Sequence, residues 1–188
     1  MKKIAIFGSG NGSNAKNIIN YFLFNKEILI RLIVTNRDKS GIIEVAKKYK
    51  IDILIVSKSD PEHQTLDYLK KQNISFIVLA GYLKKIPKII INNFPNKIIN
   101  IHPSLLPKYG GKGMYGINVH KEVLINEEKE TGITIHYVNN EYDEGKIIFQ
   151  AKCDISKCKN VKLISNKVRK IEHQFYPIII EKILKNGN

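Results

Sequence analysis

Asn100 and His102 stand two residues apart where the apolar run Lys97-Ile98-Ile99 meets the octet Asn100-Ile101-His102-Pro103-Ser104-Leu105-Leu106-Pro107. Alternate side chains of a strand share a face, so this spacing projects an amide and an imidazole together. Ile99 and Ile101 then turn the other way, into apolar packing. Pro103 has no N–H for a sheet ladder and ends the strand at once. The amide offers an N–H donor, and the ring can donate in either protonation state. A polar pair at a strand's carboxyl end is where open α/β sheets place their ligands.

A second stretch has a different chemistry. Gly8-Ser9-Gly10-Asn11-Gly12-Ser13-Asn14 lies between an apolar strand pattern, Ile4–Phe7, and a helical one, Ala15–Phe24. Glycines let a backbone turn tightly and approach a ligand closely. The helix start adds unpaired N–H groups and the positive end of the dipole; Ser13 and Asn14 are good cap residues and can add side-chain donors to a ligand. This reads as a phosphate loop. Gly10, Gly12 and Ala15 also satisfy a relaxed dinucleotide spacing, G-x-G-x-x-A, but Thr35 and Asn36 stand where the ribose-binding acid is required.

The elements that must position these groups alternate. Strand patterns at Ile28–Val34, Ile53–Val56, Phe76–Leu79 and Lys97–Ile101 are separated by helical spacings at Ile42–Tyr49, Leu66–Gln72 and Pro87–Asn93. Such alternation predicts an α/β fold: a mostly parallel, Rossmann-like sheet with helices on both faces. The glycine-rich segment Lys108–Asn118 interrupts it as a binding or gating loop. Gly132–Val138 and Lys146–Cys153, joined by a polar turn, predict an antiparallel extension at the sheet edge. A helix over Asn160–Phe175 follows, with Pro177 expected to break it. No repeat or linker divides residues 1–188, which are expected to form a single domain.

Composition excludes several classes. At 188 residues with 43% hydrophobic content the chain can bury a substantial core. No apolar run reaches the ~18–20 residues of a membrane span, and the short apolar start is no signal peptide, so a cytoplasmic protein without membrane contact is expected. The net charge of +14 is spread along the chain, with no basic stripe interleaved with aromatics, which argues against a nucleic-acid partner. A diffuse positive field still attracts phosphate-bearing small molecules. Cys153 and Cys158 have no neighbouring histidine or cysteine pattern, so no metal is expected.

Taken together, Gly10-Asn11-Gly12-Ser13-Asn14, Leu79-Ala80-Gly81-Tyr82, Asn100 to Pro107 and Asp143-Glu144-Gly145 occur in the order and approximate spacing of one family. The chain resembles the glycinamide ribonucleotide formyltransferases, folate-dependent enzymes of purine synthesis. The resemblance implies formyl transfer from 10-formyltetrahydrofolate to the amine of glycinamide ribonucleotide, without a metal. It also implies that Asn100 and His102 supply donors to a developing oxyanion, while Asp143 orients the ring or a water and helps to remove the amine proton. Gly12, Ser13 and Asn14 match the family's phosphate contacts, and Arg169 and Glu172 its phosphate and ribose contacts. Leu83, Lys84, Lys85 and Ile86 match the segment lining the pterin pocket, with Asn100 also facing the folate. Two departures stand out: lysines at 84 and 85 in a place often more apolar, and Glu144 where many relatives have a second glycine.

Read without the resemblance, Asp143 belongs to an ordinary turn, and Arg169 and Glu172 to a solvated helix face. His136 reads as a packed or solvated strand residue and His120 as structural. Relatives that formylate initiator methionyl-tRNA, or that hydrolyse formyltetrahydrofolate, carry further domains for which this chain leaves no room, so neither activity is expected. The oligomeric state, monomer or homodimer, is left open.

Overall fold

A computed structural model of the chain describes residues 1–56 and 61–186. Its strands run in the order β3-β2-β1-β4-β5-β6-β7 in one sheet, and the chain divides into two compact units, 1–99 and 100–188.

The first unit contains β1 (Lys2–Phe7), α1 (Ser13–Phe22), β2 (Ile28–Thr35), α2 (Gly41–Tyr49), β3 (Asp52–Ile55), α3 (Pro61–Lys71), β4 (Phe76–Leu79) and α4 (Lys88–Asn93). β1 pairs in parallel with β2 and β4, and β2 with β3, as the alternation of elements predicts. Ile4, Ala5, Ile6, Ile33, Val34, Ile77 and Val78 are fully buried, which is why these strands read as continuous apolar runs rather than alternating ones. α1 buries Ala15, Ile18, Ile19 and Phe22 on one stripe, and α2 buries Ile42, Ile43 and Ala46.

β5 (Ile98–His102) starts in the first unit and ends in the second. It extends one residue beyond the expected end, so His102 is its last residue. The second unit continues with α5 (Ile117–Ile125), β6 (Glu130–Tyr137), β7 (Ile147–Asp154) and α6 (Val161–Asn186). β6 and β7 pair antiparallel, forming the expected extension.

The break expected at Pro177 does not occur: α6 runs through it. Ile164, Val168, Tyr176, Ile180 and Leu184 repeat at multiples of four and are all buried, and Pro177 is buried with them. Proline within a helix costs about 3 kcal/mol through its lost N–H bond and its ring clash. A core-facing row on both sides of Pro177 offsets that cost, and tertiary packing overrides the local signal.

Candidate active site

Four polar side chains of the second unit converge. Asn100 and His102, on β5, project together as the period of a strand requires. His102 Nδ1 lies 3.4 Å from Asp143 Oδ2. The other carboxylate oxygen, Oδ1, is 3.5 Å from Asn100 Nδ2 and 3.6 Å from His136 Nε2. Asn100 Nδ2 also lies 3.2 Å from His136 Nε2. His136 is the member that sequence reasoning undervalued. Its signal was the alternation of β6, which puts Thr134 and His136 on one face, both buried.

Local structure explains why Asp143 reaches this cluster. The turn leading to β7 closes with the Tyr137 N–H donating to the Lys146 carbonyl at 2.9 Å. At Gly145 a Cβ would sit 1.7 Å from the Tyr137 carbonyl oxygen, so only glycine admits that approach. Asp143 itself adopts a left-handed backbone, φ 58°, a region that aspartate tolerates better than most residues. The β6–β7 register slips between Ile135 and His136, a bulge of the kind that re-aims side chains beside functional sites.

The segment after β5 is pinned by buried hydrogen bonds. The Leu106 N–H donates to Thr134 Oγ1 at 3.0 Å, and Thr134 Oγ1 donates to the Ser104 carbonyl at 2.7 Å. Gln150 Nε2 donates to the Leu106 carbonyl at 3.0 Å, and Ser104 Oγ to the Lys108 carbonyl at 2.7 Å. Ser104 is fully buried, so its hydroxyl is a structural tie within the octet. The Leu106–Pro107 peptide is cis.

These bonds also fix proton positions. His136 Nδ1 lies 2.9 Å from the Tyr137 carbonyl, which can only accept, so Nδ1 carries a hydrogen. In the neutral ring Nε2 is then an acceptor and takes the Asn100 amide N–H. His102 Nε2 lies 2.7 Å from the Tyr109 carbonyl and must likewise donate, leaving Nδ1 opposite Asp143. Burial pulls the His102 pKa below the usual imidazole range, against the opposing pull of Asp143 and the Tyr109 carbonyl, with His136 adding to the depression. For Asp143, burial raises the pKa; His136 and His102, each when its ring carries a proton toward the carboxylate, and the Gly111 N–H outweigh it and hold the carboxyl low. The ground state is a neutral ring facing a carboxylate, with one position between them for an arriving proton.

The other expected residues occupy separate places. Gly12 precedes α1 with φ 77°, and a Cβ there would lie 2.9 Å from Ile42 Cα. The glycine is thus required by the close approach of α2, whatever the loop binds. The Ser13 N–H donates to Asn11 Oδ1 at 3.1 Å, and the Leu83 N–H to Ser9 Oγ at 3.0 Å, tying the loop to the segment after β4. Lys84 and Lys85 are exposed there, while Ile86 is buried. On α6, Arg169 is exposed, but Glu172 is half-buried and falls in the row of Ile164, Val168 and Tyr176. Glu172 is therefore not on a solvated face. His120 is buried on α5 with an unpartnered Nδ1, and burial, with Arg169 and His102 adding to it, lowers its pKa to about 4. Among the described residues, no group of three His, Cys, Asp or Glu side chains is placed to hold a metal ion.

The model of the formyl transferase family, described as "Formyl transferase", matches residues 2–180. The chain belongs to the formyl transferase family. It is 33% identical to the phosphoribosylglycinamide formyltransferase of Bacillus subtilis, over 100% of this chain and 97% of that protein. It is 38% identical to the chloroplastic phosphoribosylglycinamide formyltransferase of Arabidopsis thaliana, over 97% of this chain and 65% of the relative. The chain spans less than two thirds of that relative and 61% of its Vigna unguiculata counterpart. Among solved structures, the phosphoribosylglycinamide formyltransferase of Bacillus halodurans superposes with a TM-score of 0.89 at 30% identity, covering 100% of this chain and 97% of that one. The mostly parallel sheet with an antiparallel edge is thus the fold of these enzymes.

Proposed function

We propose that this chain transfers the formyl group of 10-formyltetrahydrofolate to the primary amine of glycinamide ribonucleotide, a step of purine biosynthesis. What supports the reading, beyond the full-length match to the Bacillus subtilis enzyme, is one observation: Asp143 sits among His102, His136 and Asn100 with a proton-accepting position between it and His102. An amine adding to a formyl carbon must shed a proton and place negative charge on the formyl oxygen; when that adduct collapses, the carbon's bond to the tetrahydrofolate nitrogen breaks and the departing nitrogen takes up a proton.

His102 and Asp143 take the proton. With Nε2–H held by the Tyr109 carbonyl, the accepting atom is His102 Nδ1. A proton there converts a contact of lone pair and carboxylate into a buried ion pair with hydrogen-bonded partners. Asn100 stabilises the oxygen. Its bond to His136 is the shorter, and its 3.5 Å contact to Asp143 is at the limit of a hydrogen bond. That second N–H is the one that turns to the developing oxyanion. Donors aimed at a developing charge usually contribute more to the rate than any other single effect.

The remaining assignments follow the resemblance and are part of the same proposal: phosphate on Gly12, Ser13 and Asn14, phosphate and ribose on Arg169 and Glu172, folate on Leu83, Lys84, Lys85, Ile86 and Asn100. The single domain 1–188 and the cytoplasmic location belong to it too. Among the described residues no helix is long and apolar enough to cross a membrane. The test is an assay of the purified protein with both substrates, scored for formylated ribonucleotide. Hydrolysis of the formyl donor without transfer, or transfer only to aminoacylated tRNA, would overturn the reading.

A further inference from the structure

Tyr109 is a non-glycine residue in the left-handed region, φ 57°, immediately followed by Gly110 and Gly111. Such a conformation is unfavourable for a residue with a Cβ and persists only where surroundings enforce it. The enforcement is visible. The Tyr109 hydroxyl donates to Glu128 Oε1 at 2.9 Å, and the same carboxylate holds Lys108 Nζ at 2.8 Å. Glu128 follows α5 and is remote in sequence from the octet.

The short segment anchored in this way touches both members of the proton-accepting pair. The Tyr109 carbonyl accepts the His102 Nε2–H at 2.7 Å, and the Gly111 N–H donates to Asp143 Oδ2 at 2.9 Å. Gly110 and Gly111 bring no side chain, so within residues 109–111 the Tyr109 ring supplies the side-chain anchor. A surface ion pair such as Lys108–Glu128 adds little to stability, too little to explain the arrangement by itself.

We propose that Glu128 is a positioning residue: by holding the Tyr109 phenol it keeps the Tyr109 carbonyl on His102 Nε2, and so decides that Nδ1 is the atom facing Asp143. The inference rests on the proposed role of His102 and Asp143, but it can be read without substrate. Glu128 is suited to the task because Lys108 and Tyr109 together hold its carboxyl below the usual range, so it stays an acceptor. Burial and Glu128 push the Tyr109 phenol up to about 12, so it stays a donor. The groups facing His102 are Asp143, His136, His120 and the Tyr109 carbonyl.

The experiment is an NMR titration of the histidine rings in the free protein, paired with pH profiles of kcat. Tyr109→Phe and Glu128→Ala should lower the His102 midpoint, because a bond favouring the protonated ring is loosened, and should reduce the share of the Nε2–H tautomer. They should also lower kcat about 10-fold with little change in either KM, a misplacement effect. Glu128→Gln keeps an oxygen for the phenol and should restore the His102 titration, while Lys108→Met, which leaves Tyr109 and Glu128 paired, should not disturb it. Unchanged His102 titration and tautomer in Tyr109→Phe and Glu128→Ala, or a Glu128→Gln protein as disturbed as Glu128→Ala, would overturn the proposal. A shifted His102 titration in a protein that shows no formyl transfer would support it while removing the functional reading.

Discussion

Asp143 Oδ2 lies 3.4 Å from His102 Nδ1 while the opposite ring nitrogen is committed to the Tyr109 carbonyl at 2.7 Å. The ring therefore has one nitrogen free to gain a proton, and that nitrogen faces a carboxylate held ionised by its neighbours.

His102→Ala should lower turnover by about 100-fold or more, and Asp143→Asn by a comparable factor, since each removes half of one device. The double variant should be little worse than the poorer single. Both proteins should remain folded and soluble. Steady-state kinetics with circular dichroism decides; near-normal transfer by folded His102→Ala protein would leave the octet structural.

The pH dependence has a defined sign. Transfer needs His102 neutral, and burial places its folded pKa below the ordinary imidazole value of about 6.5. Turnover should therefore decline on the acid side with a midpoint below 6.5. A kcat profile that declines with a midpoint above pH 7 would contradict this assignment of the accepting atom.

His136→Phe removes the acceptor that orients the Asn100 amide. One such hydrogen bond is worth about 1 kcal/mol, so turnover should fall about 5- to 10-fold with the ribonucleotide KM little changed. Turnover equal to that of the unmodified protein would confine His136 to packing.

Gly12→Val tests the fold more than the phosphate site. Its Cβ would meet Ile42 Cα at 2.9 Å and Val45 Cγ2 at 3.0 Å in a backbone with φ 77°. A loss of about 2 kcal/mol or more is expected in urea unfolding. At Gly10 nothing lies within 4 Å of an added Cβ, so Gly10→Ala should keep full stability and is the variant in which ribonucleotide affinity can be read. Equal stability of the two variants would contradict the packing argument.

His120 links stability to pH. Its folded pKa, lowered to about 4, lies below an unfolded value of about 6.5, so the unfolded chain binds a proton that the folded one refuses. The neutral ring carries no penalty above pH 6.5, and stability is lost as pH falls from there toward 4, by roughly 3 kcal/mol in total. The stability difference between His120→Gln and the unmodified protein should therefore move in favour of the variant between pH 7.5 and 5. A difference that stays constant over that range, measured by urea unfolding, would show that His120 is not the group responsible.

Much was legible in the chain before any fold was built. Apolar runs such as Ile4–Phe7 and Ile98–Ile99 are long enough and bounded clearly enough to read as buried strands, and the period of a strand alone placed Asn100 and His102 on one side. Glycines between strand and helix marked the loop at residues 8–14. These are local signals, carried by residues within a few positions of one another. What only the tertiary structure decided are relations between distant positions. Asp143 is an ordinary turn residue until Gly145 lets its turn approach Tyr137 and brings the carboxylate to His102. His136 reads as one more strand residue until Asn100, 36 positions earlier, presents an amide to it. Glu172 reads as surface until its row packs inward, and Pro177 as a helix breaker until that same row outweighs its lost bond. Gly12 serves the approach of Ile42 as well as any ligand. Long-range packing sets each of these, because a side chain's partners, and with them its proton, depend on what the fold brings within a few ångströms.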